Sequence, residues 1–171
     1  MPADDFTKTA YHECGHAVMA VLLGGKIDLL TLEPDSGDDL PERSGEIRVI
    51  WPPDTFTDKE LGIFEIKVAL AGPIAEMIYD GSQQTIELLE EWRHDWEMAT
   101  DRVAEFLPNN KSIAEHLGGY AFELMGFFER GDVWAAVAGL ADQLEAHETL
   151  EEEQIADVMA AWPIAGFEQI E

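Results

Sequence analysis

One cysteine, Cys14, stands in a chain of 171 residues. No internal disulfide can form, which agrees with a reducing compartment. Basic residues are also scarce. Ten Lys and Arg face 36 Asp and Glu, for a formal charge of −26. A field of that sign repels phosphate, so nucleic acid and anionic lipid are poor partners. Long apolar runs are missing: the longest, Ala17 to Leu23, falls far short of the roughly 20 residues that span a bilayer. Met1-Pro2-Ala3-Asp4-Asp5 offers neither a basic start nor a leader-like apolar stretch. No G-x-x-x-x-G-K-[ST] loop occurs, so no ATP-binding machinery is visible. A cytoplasmic protein is the expectation.

What is present is the composition of a globular chain, with 46% apolar residues. The length fits a single domain over 1–171, with a tail after Pro163 that has no clear period. Asp4 to Leu23 reads as a helix closed by Gly24-Gly25, and from Ala17 onward it is apolar on nearly every side. Lys26–Glu33 and Glu46–Trp51 read as a β-hairpin with a long exposed loop over Pro34–Ser44. Thr57-x-x-Glu60 has capping-box form and opens a helix toward Tyr79. Pro73 in its interior predicts a kink or two abutting helices. Further helices are expected over Thr85–Leu107, Lys111–Arg130 and Val133–His147. Thr149-x-x-Glu152 would cap a last one ending near Trp162. The fold class is therefore mainly α, with one small β-hairpin after the first helix.

Residues 12–16 read His-Glu-Cys-Gly-His. Histidines at i and i+4 lie one above the other on a helix face, about 6 Å apart at Cβ. Two imidazoles so placed can reach one zinc ion at about 2.0–2.1 Å each. Glu13 is turned about 100° from His12, out of the ligand line but within reach of a water beside it. This is the H-E-x-x-H pattern of zinc peptidases, which random order would produce in a chain of this composition about 2 times in 100. Cys14 points into the apolar stripe and reads as a buried thiol, not a ligand.

A catalytic zinc needs a third protein ligand. On the helix expected over Thr85–Leu107, Leu88, Trp92, Trp96, Ala99, Val103 and Phe106 form the inward stripe. With Trp92 at zero, Asp95 falls at about −60°, on the stripe's margin, and His94 at about −160°, toward solvent. A carboxylate there is costly unless paired or metal-bound. Zinc ligation and an ion pair with a residue such as Arg102 are both open on this geometry. His116 and His147 read as ordinary surface histidines.

These segments resemble the peptidase domain of the FtsH-type membrane metalloproteases. Ala10-Tyr11-His12-Glu13-Cys14-Gly15-His16-Ala17 is similar to that family's A-Y-H-E-A-G-H-A. Leu70-Ala71-Gly72-Pro73-Ile74-Ala75-Glu76 is similar to its G-R-A-A-E segment, with Pro73 where Arg is usual. Asp95-Trp96-Glu97-Met98-Ala99-Thr100 is similar to its N-D-L-E-Q-A-T, with His94 in place of Asn. Glu148-Thr149-Leu150-Glu151-Glu152-Glu153 resembles its late E-T-L-x-x-x-E. The similarity runs in the same order from about residue 6 to about residue 161. It implies a helical, zincin-like metallopeptidase domain in which His12, His16 and Asp95 hold zinc and Glu13 is the general base toward a zinc-bound water. The family's transmembrane anchor and AAA+ ATPase have no counterpart in these residues. Substrates would then be short or unfolded, or delivered by a separate ATPase partner. The competing expectation is a catalytically silent relative that binds extended peptides or partner proteins in the same cleft. The hairpin's outer edge is either a seat for an extended peptide or a plain structural edge. Glu76 matches the family but, some 140° from the stripe centred on Ala71, reads as solvated.

Overall fold

A computed structural model of the chain describes residues 3–33, 45–81, 92–107 and 112–166. The loop expected over Pro34–Ser44, the 85–91 part of the predicted long helix with its Leu88, the Pro108-Asn109-Asn110 stop and the tail beyond 166 lie outside the described residues. The described residues form six helices and a small antiparallel sheet. Among them, no helix is long and apolar enough to cross a membrane.

The first helix, α1, spans Ala3–Leu22, and Ala17, Val18, Met19 and Ala20 are all buried, as its all-round apolar second half requires. Gly24 follows it at φ +101°, a backbone conformation that glycine adopts without steric cost. Strand β1 (Lys26–Thr31) then pairs antiparallel with β2 (Glu46–Ile50), from Lys26↔Ile50 to Thr31↔Glu46. A third strand, β3 (Thr149–Leu150), joins the far side of β1, giving the order β2-β1-β3.

That third strand corrects the sequence reading of Thr149 as a helix cap. Leu150 is fully buried, and the Thr149 hydroxyl lies 2.7 Å from that of Thr31. Burying a leucine is worth about 1.5–3 kcal/mol, more than the ~1 kcal/mol of a typical cap. The final helix, α6 (Glu152–Ala161), recovers its own capping box from Glu151 and Gln154.

Helix α2 spans Asp58–Asp80, capped by Thr57 with Glu60 in a reciprocal box and closed by Gly81 in the left-handed region. It runs unbroken through Pro73, so the expectation of two abutting helices is not met. Every residue from Ala69 to Met77 is buried. Packing on all sides offsets the roughly 3 kcal/mol that an interior proline costs. Helices α1 and α2 approach closely because small residues meet at the crossing. A Cβ placed on Gly15 would lie 2.6 Å from both the Ala71 carbonyl oxygen and the Ala75 Cβ.

Helix α3 (Arg93–Phe106) packs on α2 through its buried Ala99 and Val103. Helix α4 (Ile113–Phe128) also lies against α2, and α5 (Gly131–His147) covers the other side of α1. The core is continuous from Cys14 and Val18 through Ile66, Leu70 and Ile74 to Val137 and Leu140. It leaves α1, α2, α3 and β2 around one open cleft.

Candidate metal centre

Helical spacing puts His12 and His16 on the face of α1 that meets α2, and both are buried, at 8% and 5% exposed. Their rings are 4.8 Å apart, centroid to centroid. The start of α3 brings Asp95 between them. Asp95 Oδ2 lies 2.8 Å from His12 Nε2 and 3.4 Å from His16 Nε2. One ligand atom from each of the three residues lies within 4.8 Å of the others. The ion pair weighed for Asp95 is not formed: Arg102 pairs instead with Glu65 and Glu105. His94 is exposed on the cleft rim, on the side that the helical wheel gave it.

Each histidine is held by its other nitrogen. His16 Nδ1–H donates to the Val68 carbonyl at 2.6 Å, and His12 Nδ1–H donates to Glu76 Oε1 at 3.2 Å. A carbonyl and a carboxylate only accept, so these bonds direct both Nε2 atoms toward Asp95. The reading of Glu76 as solvated is therefore overturned. Glu76 is 5% exposed, and the all-round burial of α2 at this level leaves no solvent face for it to occupy. A lone carboxylate directly after the Ala- and Gly-rich run of residues 69–75, and before Met77 and Ile78, was the signal available in the sequence.

These residues fit a zinc ion on two counts. The donors are two imidazole nitrogens and a carboxylate oxygen, a set suited to zinc, with second-neighbour acceptors that fix the ring orientation. Ligands about 2.0–2.1 Å from a tetrahedral ion sit about 3.3 Å from each other, a spacing that the 2.8 and 3.4 Å separations bracket. The cradle also demands a missing side chain. A Cβ on Gly72 would lie 2.3 Å from His16 Nε2 and 2.9 Å from His12 Nε2, so only glycine leaves those atoms free.

Charge is concentrated here. Burial alone would lower the His12 pKa, but hydrogen bonds to Asp95 and Glu76 and the charges of Asp95 and Glu13 outweigh it and raise the value to about 10. Burial likewise opposes the rise at His16, where the nearby Asp95 wins. Asp95 shows the converse: burial pushes its carboxyl up, and the two histidines bring it down below the usual range. Glu13, also buried, has its pKa raised by desolvation against the pull of His16 and His12. A carboxylate raised in this way is a stronger proton acceptor than one on the surface. Cys14 is fully buried, and burial first of all holds its thiol well above the usual range, as expected for a core residue.

The three candidate ligands and Glu13 line a cleft of about 500 Å³. Its apolar lining comes from Ile47 and Val49 of β2, Trp51, and Met98 of α3. Among the described residues β2 pairs only with β1, which leaves its outer edge without a strand beside it, and its Ile47 and Val49 line this cleft. Two features of the site escaped the sequence reading besides Glu76. Gly72 makes room for the imidazoles, and Gly45, just before β2, makes room for the Glu13 side chain. No protein-family model matches the chain, and no curated protein matches it.

Proposed function

We propose that this chain is a zinc metallopeptidase that hydrolyses peptide bonds in short or unfolded polypeptides. The observation that carries the reading is the meeting of His12, His16 and Asp95 beside the buried Glu13. His12 and His16 offer Nε2 and Asp95 offers a carboxylate oxygen, which leaves one position of a tetrahedral site open. A bound zinc ion supplies positive charge that acidifies water and polarises a carbonyl. Glu13 takes the proton released at the cleft and hands it to the departing amine. Glu76 and the Val68 carbonyl keep the two rings in place throughout. The outer edge of β2 is the seat for an extended substrate, aligned by main-chain hydrogen bonds, with alternate side chains facing Ile47, Val49 and Trp51.

The resemblance of four ordered segments to the FtsH-type peptidase domain supports the same reading, and with it a zincin-like fold acting in the cytoplasm. Substrate unfolding, where needed, falls to a separate ATPase partner. The test is metal analysis of the purified chain, followed by cleavage of an unfolded test protein with and without a chelator. Zinc together with chelator-sensitive cleavage is the expected result. Zinc without cleavage overturns the peptidase reading and leaves the peptide-binding one. No zinc affinity overturns both the metal and the mechanism.

A further inference from the structure

Gly45 stands immediately before β2, at the lip of the cleft, and its close approach ties it to Glu13. A Cβ built on it would lie 2.5 Å from Glu13 Cγ, 3.0 Å from Glu13 Cδ and 2.8 Å from the Thr31 carbonyl oxygen. Its backbone does not sit in the left-handed region, so the need for glycine is one of space and not of φ. The Thr31↔Glu46 pairing fixes where this residue lies, because it ties the start of β2 to the end of β1. Glu13 is therefore held between its own helix and the residue that precedes the edge strand.

We infer that Gly45 is the positioning residue for the general base: its missing side chain keeps the space that the Glu13 side chain occupies. The inference rests on the peptidase reading for its catalytic consequence, though not for the contact itself. A displacement of about 1 Å at a reacting group costs on the order of 100-fold in rate, so the contact bears on turnover and not on packing alone. It also joins two parts of the site. The residue that seats the base opens the strand along which a peptide would lie, so the register of that strand and the place of the carboxylate are set together.

The test is a double-mutant cycle on the full chain with Gly45→Ala, Glu13→Ala and the pair together. The zinc-loaded Gly45→Ala protein is expected to keep its full zinc content. Its kcat on an unfolded test protein should fall about 100-fold while KM stays within about threefold. In chelator-treated protein, Gly45→Ala should lower the melting midpoint, and by clearly less when Glu13 is already alanine. The clash with the Thr31 carbonyl is common to both backgrounds, so the difference reports the Glu13 contact alone. Equal losses of melting midpoint in both backgrounds overturn the inference, as does a folded Gly45→Ala protein with unchanged kcat. If Gly45→Ala does not fold in the parent chain, a folded double variant supports the contact and an unfolded one overturns it. If the parent chain cleaves nothing, the peptidase reading fails and the melting cycle alone decides on Gly45.

Discussion

His12 Nε2 and Asp95 Oδ2 lie 2.8 Å apart although 83 positions separate the two residues along the chain. The contact joins the first helix to the third. Both side chains are largely withdrawn from water, at 11% and 14% exposed. A carboxylate so placed needs a cation beside it, and here two imidazoles serve.

Removing Asp95 tests the third ligand directly. Asp95→Ala should lower zinc affinity by at least about 100-fold, because a tetrahedral site loses one of three protein donors. His12 keeps Glu76 and His16 keeps Val68, so the helices should stay in place. Metal titration followed by circular dichroism checks both halves. Unchanged zinc affinity would hand the third position to another residue.

Glu76→Ala should weaken zinc binding by about 10–100-fold, since it frees the His12 ring from the acceptor on Nδ1. Glu76→Gln keeps an acceptor oxygen and should fall between the parent and the alanine variant. A Glu76→Ala protein that binds zinc as tightly as the parent would reduce Glu76 to a buried ion-pair partner.

Glu13→Gln should retain zinc and lose about 100- to 10,000-fold in turnover, the usual range for a missing general base. Its side chain keeps nearly the same volume, so the packing against Gly45 is preserved. Turnover that survives the change removes Glu13 from the proton-transfer role.

Gly72→Ala should abolish zinc binding without weakening helix formation. Alanine is the better helix former by about 1 kcal/mol, so any loss is steric and not one of propensity. The added methyl would fall within 3 Å of both ligand nitrogens. Zinc bound at full stoichiometry by this variant would contradict the close approach of α2 to the imidazoles.

Protonation should oppose metal binding over an unusually wide range. In the chelator-treated chain His12 holds its proton to about pH 10, well above the ordinary value of 6.5. A folded-state pKa raised in this way contributes stability that is complete below about pH 6.5 and lost as pH rises toward 10. Asp95, whose pKa is lowered, contributes above its ordinary value of 3.8 and loses that contribution as pH falls further. Urea denaturation of the chelator-treated chain should therefore show stability from His12 declining between pH 6.5 and 10. Zinc binding must displace the same proton, so zinc affinity should climb across that window, with proton release seen by calorimetry in buffers of different ionisation heat. A pH-independent affinity would mean that the imidazoles are already neutral.

Much of this molecule is local and so can be read along the chain. The spacing of His12, Glu13 and His16 depends only on the helical repeat. The cap at Thr57 and the stop at Gly81 depend only on neighbouring residues. Asp95 was half legible: its wheel angle put it at the edge of a buried face, while the angle alone could not choose between Arg102 and a metal site. Packing removed the first of these, because Arg102 is taken up by Glu65 and Glu105, and α3 turns Asp95 toward the histidines of α1. Glu76, Gly72 and Gly45 were hidden for a different reason. Each acts on a side chain from a remote element, and its role appears only once α1 and α2 cross at Gly15, or once β2 returns to β1. Strand β3 was missed because two residues carry no period; it exists because Leu150 found a buried place beside Leu30. The sequence by itself determined which helices form and that two histidines share a face, since both follow from interactions within a few residues. Tertiary structure alone decided which carboxylates meet those histidines, since that contact is made by burial and close approach between segments far apart in the chain.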